Sequence, residues 1–330
     1  METKERIFYY DFLRAFAIIA VIICHLEIFY GSNPTAVQTV LKLTIHDIGR
    51  MGVPIFLMIS GALLLRKKYE LADFLKRRFT RIIYPYIFWV ALIAIGIFVI
   101  QHDYKLMFDV ATGEFSVTWY FWTLIGIYLA IPVLKAFLDA YGETALKYFL
   151  AIWFFTIILK TFNSYPLFTD FNLDFFAGYI GYPILGYYLD NKEFNLDDKK
   201  IFIVSFIIFA VSFVAIGYSE YANLGLISPM YQNVLIVLVS ASFYMLIKTI
   251  DNMTSFSAIK DNLIGKVILS ISVCSYGMYF SHVLVLKVLS FLNPHTDLLV
   301  PVMAIAMIAL SWLAVFIVSK IPYLKKFSGV

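Results

Sequence analysis

Apolar runs of bilayer length recur from one end of this chain to the other, and they restrict its fold more than any other feature. About 20 apolar residues in a helix cross the roughly 30 Å hydrocarbon core. Ten such runs stand near residues 8–30, 48–65, 82–101, 118–134, 146–163, 174–189, 201–218, 231–247, 266–288 and 298–319. In lipid each segment must satisfy its own backbone hydrogen bonds, so these runs read as helices. Only 15% of the residues are charged, where a soluble domain has about one quarter. The expected architecture is an all-α membrane protein of about ten transmembrane helices, with 1–330 forming a single integral-membrane domain. The first run is long enough to span and lacks a small-residue cleavage site, so it reads as a span rather than a signal peptide. There is no low-complexity linker, and no internal repeat suggests a two-halved transporter.

Basic residues set the orientation. With the N-terminus inside, 20 of the 26 lysines and arginines fall on the cytoplasmic side, five fall outside, and Arg14 lies within the first span. Both termini are therefore expected to be cytoplasmic. Trp119, Tyr120, Trp122, Tyr84 and Tyr86 collect near predicted boundaries, where aromatic residues form interfacial belts. The net charge of +4 calls for no nucleic acid. Cys24 and Cys274 both sit in apolar runs and read as buried free thiols. No metal site is expected.

Against that apolar background the first run, FYYDFLRAFAIIAVIICHLEIFY, carries Arg14 and His25. An arginine at membrane depth costs about 2.5–3.5 kcal/mol on insertion scales, and such residues face a protein interior or a watery path. Eleven residues of helix place the two side chains about 20° apart around the axis and roughly 16 Å apart along it. Asp11 lies near the same face and has the spacing to pair with Arg14. Further along, Arg78 and Arg81 share a face where the third run begins. His282 stands about as deep as His25, on a stripe with Ser275 and Tyr279, and Arg50 opens the second run from outside.

Two levels result. Arg14, Arg78 and Arg81 form an inner cationic level, suited to a polyanion because guanidinium forks match phosphate geometry. His25, His282 and Arg50 form an outer level, where imidazole suits proton transfer. Acyl-coenzyme A has the matching shape, with phosphates at one end and a reactive thioester at the other. Plainer readings compete. The basic stretch RKKYELADFLKRRFTR reads equally as an orientation signal touching anionic lipid. A lone His282 reads as a helix-to-helix hydrogen bond, and Arg50 as a snorkelling interfacial residue. The Arg14–His25 pair is the hardest to explain by packing.

At these residues the chain resembles the membrane-bound acyltransferase-3 family, and within it the compact O-acetyltransferases without an extracellular domain. DFLRAFAIIAVIICH resembles the family's first span, with Arg14 and His25. RMGVPIFLMISGALLL is similar to its second, with Arg50, Pro54, Ser60 and Gly61. RFTRIIYPYIFW resembles the arginine pair opening the third, and TWYFWTLIGIYLAIPVL the aromatic fourth. YPILGYYL and SYGMYFSHVLVL match later elements. Each pattern alone is weak; together and in this order they are specific. The resemblance implies transfer of an acyl group, commonly acetyl, from cytoplasmic acyl-CoA to a hydroxyl of a cell-envelope glycan or lipid-linked sugar, in a bacterial plasma membrane. Acetyl-CoA would then be the donor substrate. Arg78, Arg81 and Arg14 would hold its phosphates. His25, assisted by Arg14, would act as general base or carry the acyl group. Arg50, Trp119 and His282 would shape the acceptor pocket.

Rival readings follow from the same residues. A polysaccharide or lipid-linked-sugar transporter or flippase is the first. Ion-coupled carriers place carboxylates near mid-bilayer, and the runs at 82–101, 146–163, 201–218, 231–247 and 298–319 contain none. An intramembrane hydrolase using Ser60 and His282 is weaker, because MISGA lacks the Gly-x-Ser-x-Gly elbow. A non-catalytic envelope partner leaves Arg14 and His25 unexplained.

Overall fold

The computed structural model describes residues 6–29, 35–112, 118–162, 178–222, 231–254, 256–292 and 300–330. All regular structure among them is helical: α1 Phe8–Cys24, followed by a 3₁₀ turn His25–Phe29, then α2 Ala36–Arg50, α3 Gly52–Leu64, α4 Leu71–Gln101, α5 Tyr104–Thr112, α6 Trp119–Phe162, α7 Gly181–Asn191, α8 Asp198–Tyr221, α9 Val234–Thr254, α10 Ser257–Lys260, α11 Leu263–Leu292, α12 Val300–Lys320 and α13 Lys325–Ser328. Eight candidate spans among the described residues are long and apolar enough to cross a bilayer, α2 and α3 counting together as Ala36–Leu64. The chain is an all-α membrane protein.

The expected boundaries hold with four adjustments. The predicted fourth and fifth runs are two helices that extend toward each other within α6 and meet in a kink at Gly142, whose φ of 58° and ψ of −133° leave helical space. A positive φ costs glycine nothing, which is why the kink falls there. The expected run at 174–189 is only the 11-residue α7, and 174–177 lie outside the described residues. Helix α4 begins at Leu71, where the Glu70 carboxylate accepts from the Ala72 and Asp73 amides at 3.1 and 2.8 Å. Arg78 and Arg81 therefore sit in its second and third turns rather than its first. Arg50 ends α2 instead of opening the second span.

The helices group into two compact units. The first comprises the described residues within Met1–Ala17, Asp47–Lys67 and Ala130–Leu269. In it α8 packs along α9, and α3 along α7. The α3–α7 seam is backbone on backbone. A Cβ on Gly61 would lie 1.9 Å from the Pro183 carbonyl oxygen, and one on Gly186 would lie 2.1 Å from that of Met58. Small residues permit this approach where no hydrophobic effect drives helices together. Phe8 and Phe12 both meet the Phe256 ring at 5.8 Å.

The second unit comprises the described residues within Ile18–His46, Lys68–Leu129 and Ser270–Val330. Helix α13 packs against α4 and α12, and the buried Trp89 indole donates to the Ser328 carbonyl at 3.2 Å. The Tyr276 hydroxyl of α11 donates to the Ile82 carbonyl of α4 at 3.1 Å. Tyr86 stacks on Phe121. Helix α4 is thus tied to α13, α11 and α6 within the unit.

Candidate active site

The second unit brings His25 and His282 together. His25 opens the 3₁₀ turn at the end of α1, half-buried, and its ring centroid lies 5.0 Å from that of His282. His282, midway along α11, is 0% exposed. Each ring hangs from the carbonyl one helical turn before it. His25 Nδ1 meets Val21 O at 2.7 Å, and His282 Nδ1 meets Met278 O at 3.1 Å. A carbonyl oxygen only accepts, so in each neutral ring Nδ1 carries the proton and Nε2 is left as a lone pair. The Cys24 thiol also touches His25 Nδ1 at 3.3 Å and donates to Val21 O at 3.1 Å. His282 Nε2 is buried without a hydrogen-bond partner among the described residues.

Aromatic side chains extend this pair. Tyr279, on the same stripe of α11, lies 5.9 Å from the His282 ring. Tyr120 lies 5.0 Å from Tyr279, and Trp119 lies 5.9 Å from Tyr120. Trp119 is half-buried and faces this row, whereas Trp122 is exposed, as an interfacial residue should be. Tyr128, two turns along α6 from Tyr120, acts electrostatically on both Tyr120 and Arg78.

Arg78 is half-buried and Arg81 exposed. Arg78 lies 5.8 Å from the Phe74 ring centre and senses Arg81 beside it. Among the described residues neither guanidinium is paired with a carboxylate, unlike Arg77, which bonds Asp73 at 2.9 Å. Two adjacent arginines left without counter-ions in an apolar setting form a ready anion site. One unit thus contains the arginine pair, the histidine pair and the tyrosines Tyr128, Tyr120 and Tyr279, of which Tyr120 and Tyr279 extend the histidine pair.

Arg14 and Arg50 belong to the first unit, and there each meets carboxylates. Asp11 does approach Arg14, at 3.9 Å, but its main partner is Arg6, which grips both carboxylate oxygens at 2.6 and 2.7 Å. Arg50 is 6% exposed; its Nη1 bonds Asp47 at 3.2 Å and also pairs with Glu220. It does not snorkel, and its Nε has no partner among the described residues.

A second polar cluster in this unit had no advance signal beyond the lone carboxylate ending YPILGYYLDN. The enclosed Asp190 carboxylate accepts from the hydroxyls of Tyr9, Tyr10 at 2.8 Å and Tyr244 at 3.2 Å, and pairs with Arg66. Lys248 donates to the Leu189 and Asp190 carbonyls at 2.9 and 2.8 Å. A pocket of about 440 Å³ opens beside it, where Arg66, Lys192 and Lys248 are balanced by Asp190, Glu193 and Asp198. That lining lacks the positive excess a polyphosphate requires. Other residues missed in the sequence are Tyr128, Arg6 and Glu220. Tyr128 carried a faint signal, a second tyrosine on one face of an apolar helix.

No group of three or more metal-ligating side chains occurs among the described residues. A family model described as an acyltransferase domain matches residues 7–318, across both units. No curated protein and no solved structure matches the chain.

Proposed function

The chain belongs to the acyltransferase-3 family, and from that premise we propose that it moves an acyl group, acetyl for preference, from acyl-CoA to a hydroxyl of a cell-envelope glycan or lipid-linked sugar. The membrane is the bacterial plasma membrane, with both termini cytoplasmic. The observation that carries this reading is the composition of the second unit, where, among the described residues, two guanidiniums without a carboxylate partner, the unbonded His282 Nε2 and the adjacent His25 ring occur together.

Arg78 and Arg81 bind the phosphates of the donor through charge-assisted hydrogen bonds. The pantetheine arm follows the row of Tyr128, Tyr120 and Tyr279, which delivers the thioester to the histidines. His25 Nε2 takes the proton of the acceptor hydroxyl as the oxygen attacks the thioester carbon. The carbon–sulfur bond breaks, the ester forms, and the proton passes from His25 to the departing thiolate. Atoms and charge balance without a covalent enzyme intermediate. General-base help of this kind contributes about 10²–10⁴-fold. Trp119 and Tyr120 offer flat faces to a sugar ring.

Two measurements test the proposal. Purified protein in detergent, given acetyl-CoA and extracted envelope glycan, should release free CoA thiol in proportion to glycan added. Mass spectrometry of envelope glycans should show an acyl mass that disappears when the gene is deleted. Glycans of identical mass, together with no thiol release, would rule the proposal out.

A further inference from the structure

His282 Nε2 is the least explained atom of the site. The ring is fully enclosed and fixed by its Nδ1–H bond to Met278 O, so it cannot turn to find another partner. A buried acceptor left unbonded is costly, and native structures keep such groups for a reason. A bare imidazole nitrogen can be satisfied only by an O–H or N–H donor. His25 presents a second lone pair of the same kind from a ring 5.0 Å away, held the same way by Val21 O. Two fixed acceptors on adjacent rings select a ligand with two neighbouring donors. The aromatic flank of Tyr279, Tyr120 and Trp119 suits a ring with apolar faces.

We propose that the acceptor presents a vicinal diol on a saturated ring, with one hydroxyl at His25 for acylation and its neighbour donating to His282 Nε2. The inference rests on the acyl-transfer reading above and narrows its substrate class. His282 then sets specificity and His25 performs the chemistry. A site built to bond a substrate hydroxyl rejects the analogue lacking it by as much as 10⁴–10⁵-fold, because its own polar group is left stranded.

The test uses small alcohols as probes with the full-length protein in detergent and acetyl-CoA as donor. Cis- and trans-cyclohexane-1,2-diol are compared with their mono-O-methyl ethers, which keep one reactive hydroxyl and lose only the second donor. At least one diol should exceed its ether in kcat/KM by about 10²-fold or more. His282→Phe should slow the diol and bring the pair within about threefold of each other, since a hydrophobic wall discriminates weakly. His282→Gln, which restores an acceptor oxygen, should recover part of the preference and covers the case in which the phenylalanine variant misfolds. Equal rates for diol and ether in the wild type would overturn the diol assignment and leave acyl transfer standing. So would an undiminished preference in His282→Phe, or CoA release with neither alcohol acylated. No CoA release with any alcohol or with envelope glycan would instead overturn the acyl-transfer reading itself.

Discussion

Asp190 and His282 are both enclosed polar residues, one in each unit, and their surroundings differ in kind. Asp190 is met by three tyrosine hydroxyls and a guanidinium. His282 is held through Nδ1 by the Met278 carbonyl, and among the described residues its other nitrogen has no partner. The arginines repeat the contrast. Arg50 sits between two carboxylates, whereas Arg78 has an aromatic ring and a second arginine for neighbours. Charges balanced within the chain hold a fold together, even where, as at Arg50 Nε, one atom stays unbonded among the described residues. Cations without a carboxylate partner draw an anion from outside, which is why we place the donor, and the acceptor beside His282, in the second unit.

Substitutions can break this contrast from either side. The largest effect is expected at His25. His25→Ala should lower kcat by about 10²–10⁴-fold while acyl-CoA binding and the melting temperature hold, measured by CoA release, calorimetric titration and a detergent melt. Asp190→Ala should do the reverse. It takes the acceptor from three enclosed hydroxyls and one ion pair from the half-exposed Arg66, which keeps its bond to Asn191, so stability should fall by about 2–3 kcal/mol, read from a denaturation midpoint, with activity per folded molecule preserved. If Asp190→Ala abolished turnover without loss of stability, the division between units would be wrong. Arg78→Ala and Arg81→Ala should each weaken acyl-CoA binding about tenfold, the loss of one charge-assisted bond, with little change in stability because neither has a counter-ion to strand. The smallest effect belongs to Asp197, the N-cap of α8. Its carboxylate accepts from the Lys200 amide at 2.8 Å, which holds its pKa below the ordinary aspartate value. That contribution is complete above about pH 5 and fades as pH falls below the ordinary value of about 3.9. Wild type and Asp197→Ala should therefore melt slightly apart at neutral pH and together in acid.

The spans were legible because hydropathy reports burial in lipid directly. Boundaries were less so. A window tuned to apolar residues begins α4 near Ile82 and overlooks the polar turns from Leu71, which Glu70 caps. Arg50 was placed at the start of a helix for the same reason: α2 is only weakly apolar, so the residue that closes it looked like one that opens the next. His25 and His282 were each visible as polar intrusions at matching predicted depth, but that depth left open whether their helices would be neighbours, as the 5.0 Å ring contact makes them. The Asp190 cluster was not legible, because its partners Tyr9 and Asp190 stand 181 residues apart and each alone looks like an interfacial residue. Single-sequence reasoning reads period and depth well. It does not read which two helices of equal depth become neighbours.

The seam between α3 and α7 has a consequence for the Arg66–Asp190 bridge. Two residues without side chains, each seated on the opposing main chain, allow no slippage between the rods. Arg66 lies just past the end of one and Asp190 near the end of the other, so their meeting is inherited from that interlock rather than producing it. Removing the charges should leave the two rods in step. A single methyl group at Gly61 should throw them out of step and carry the bridge away with them.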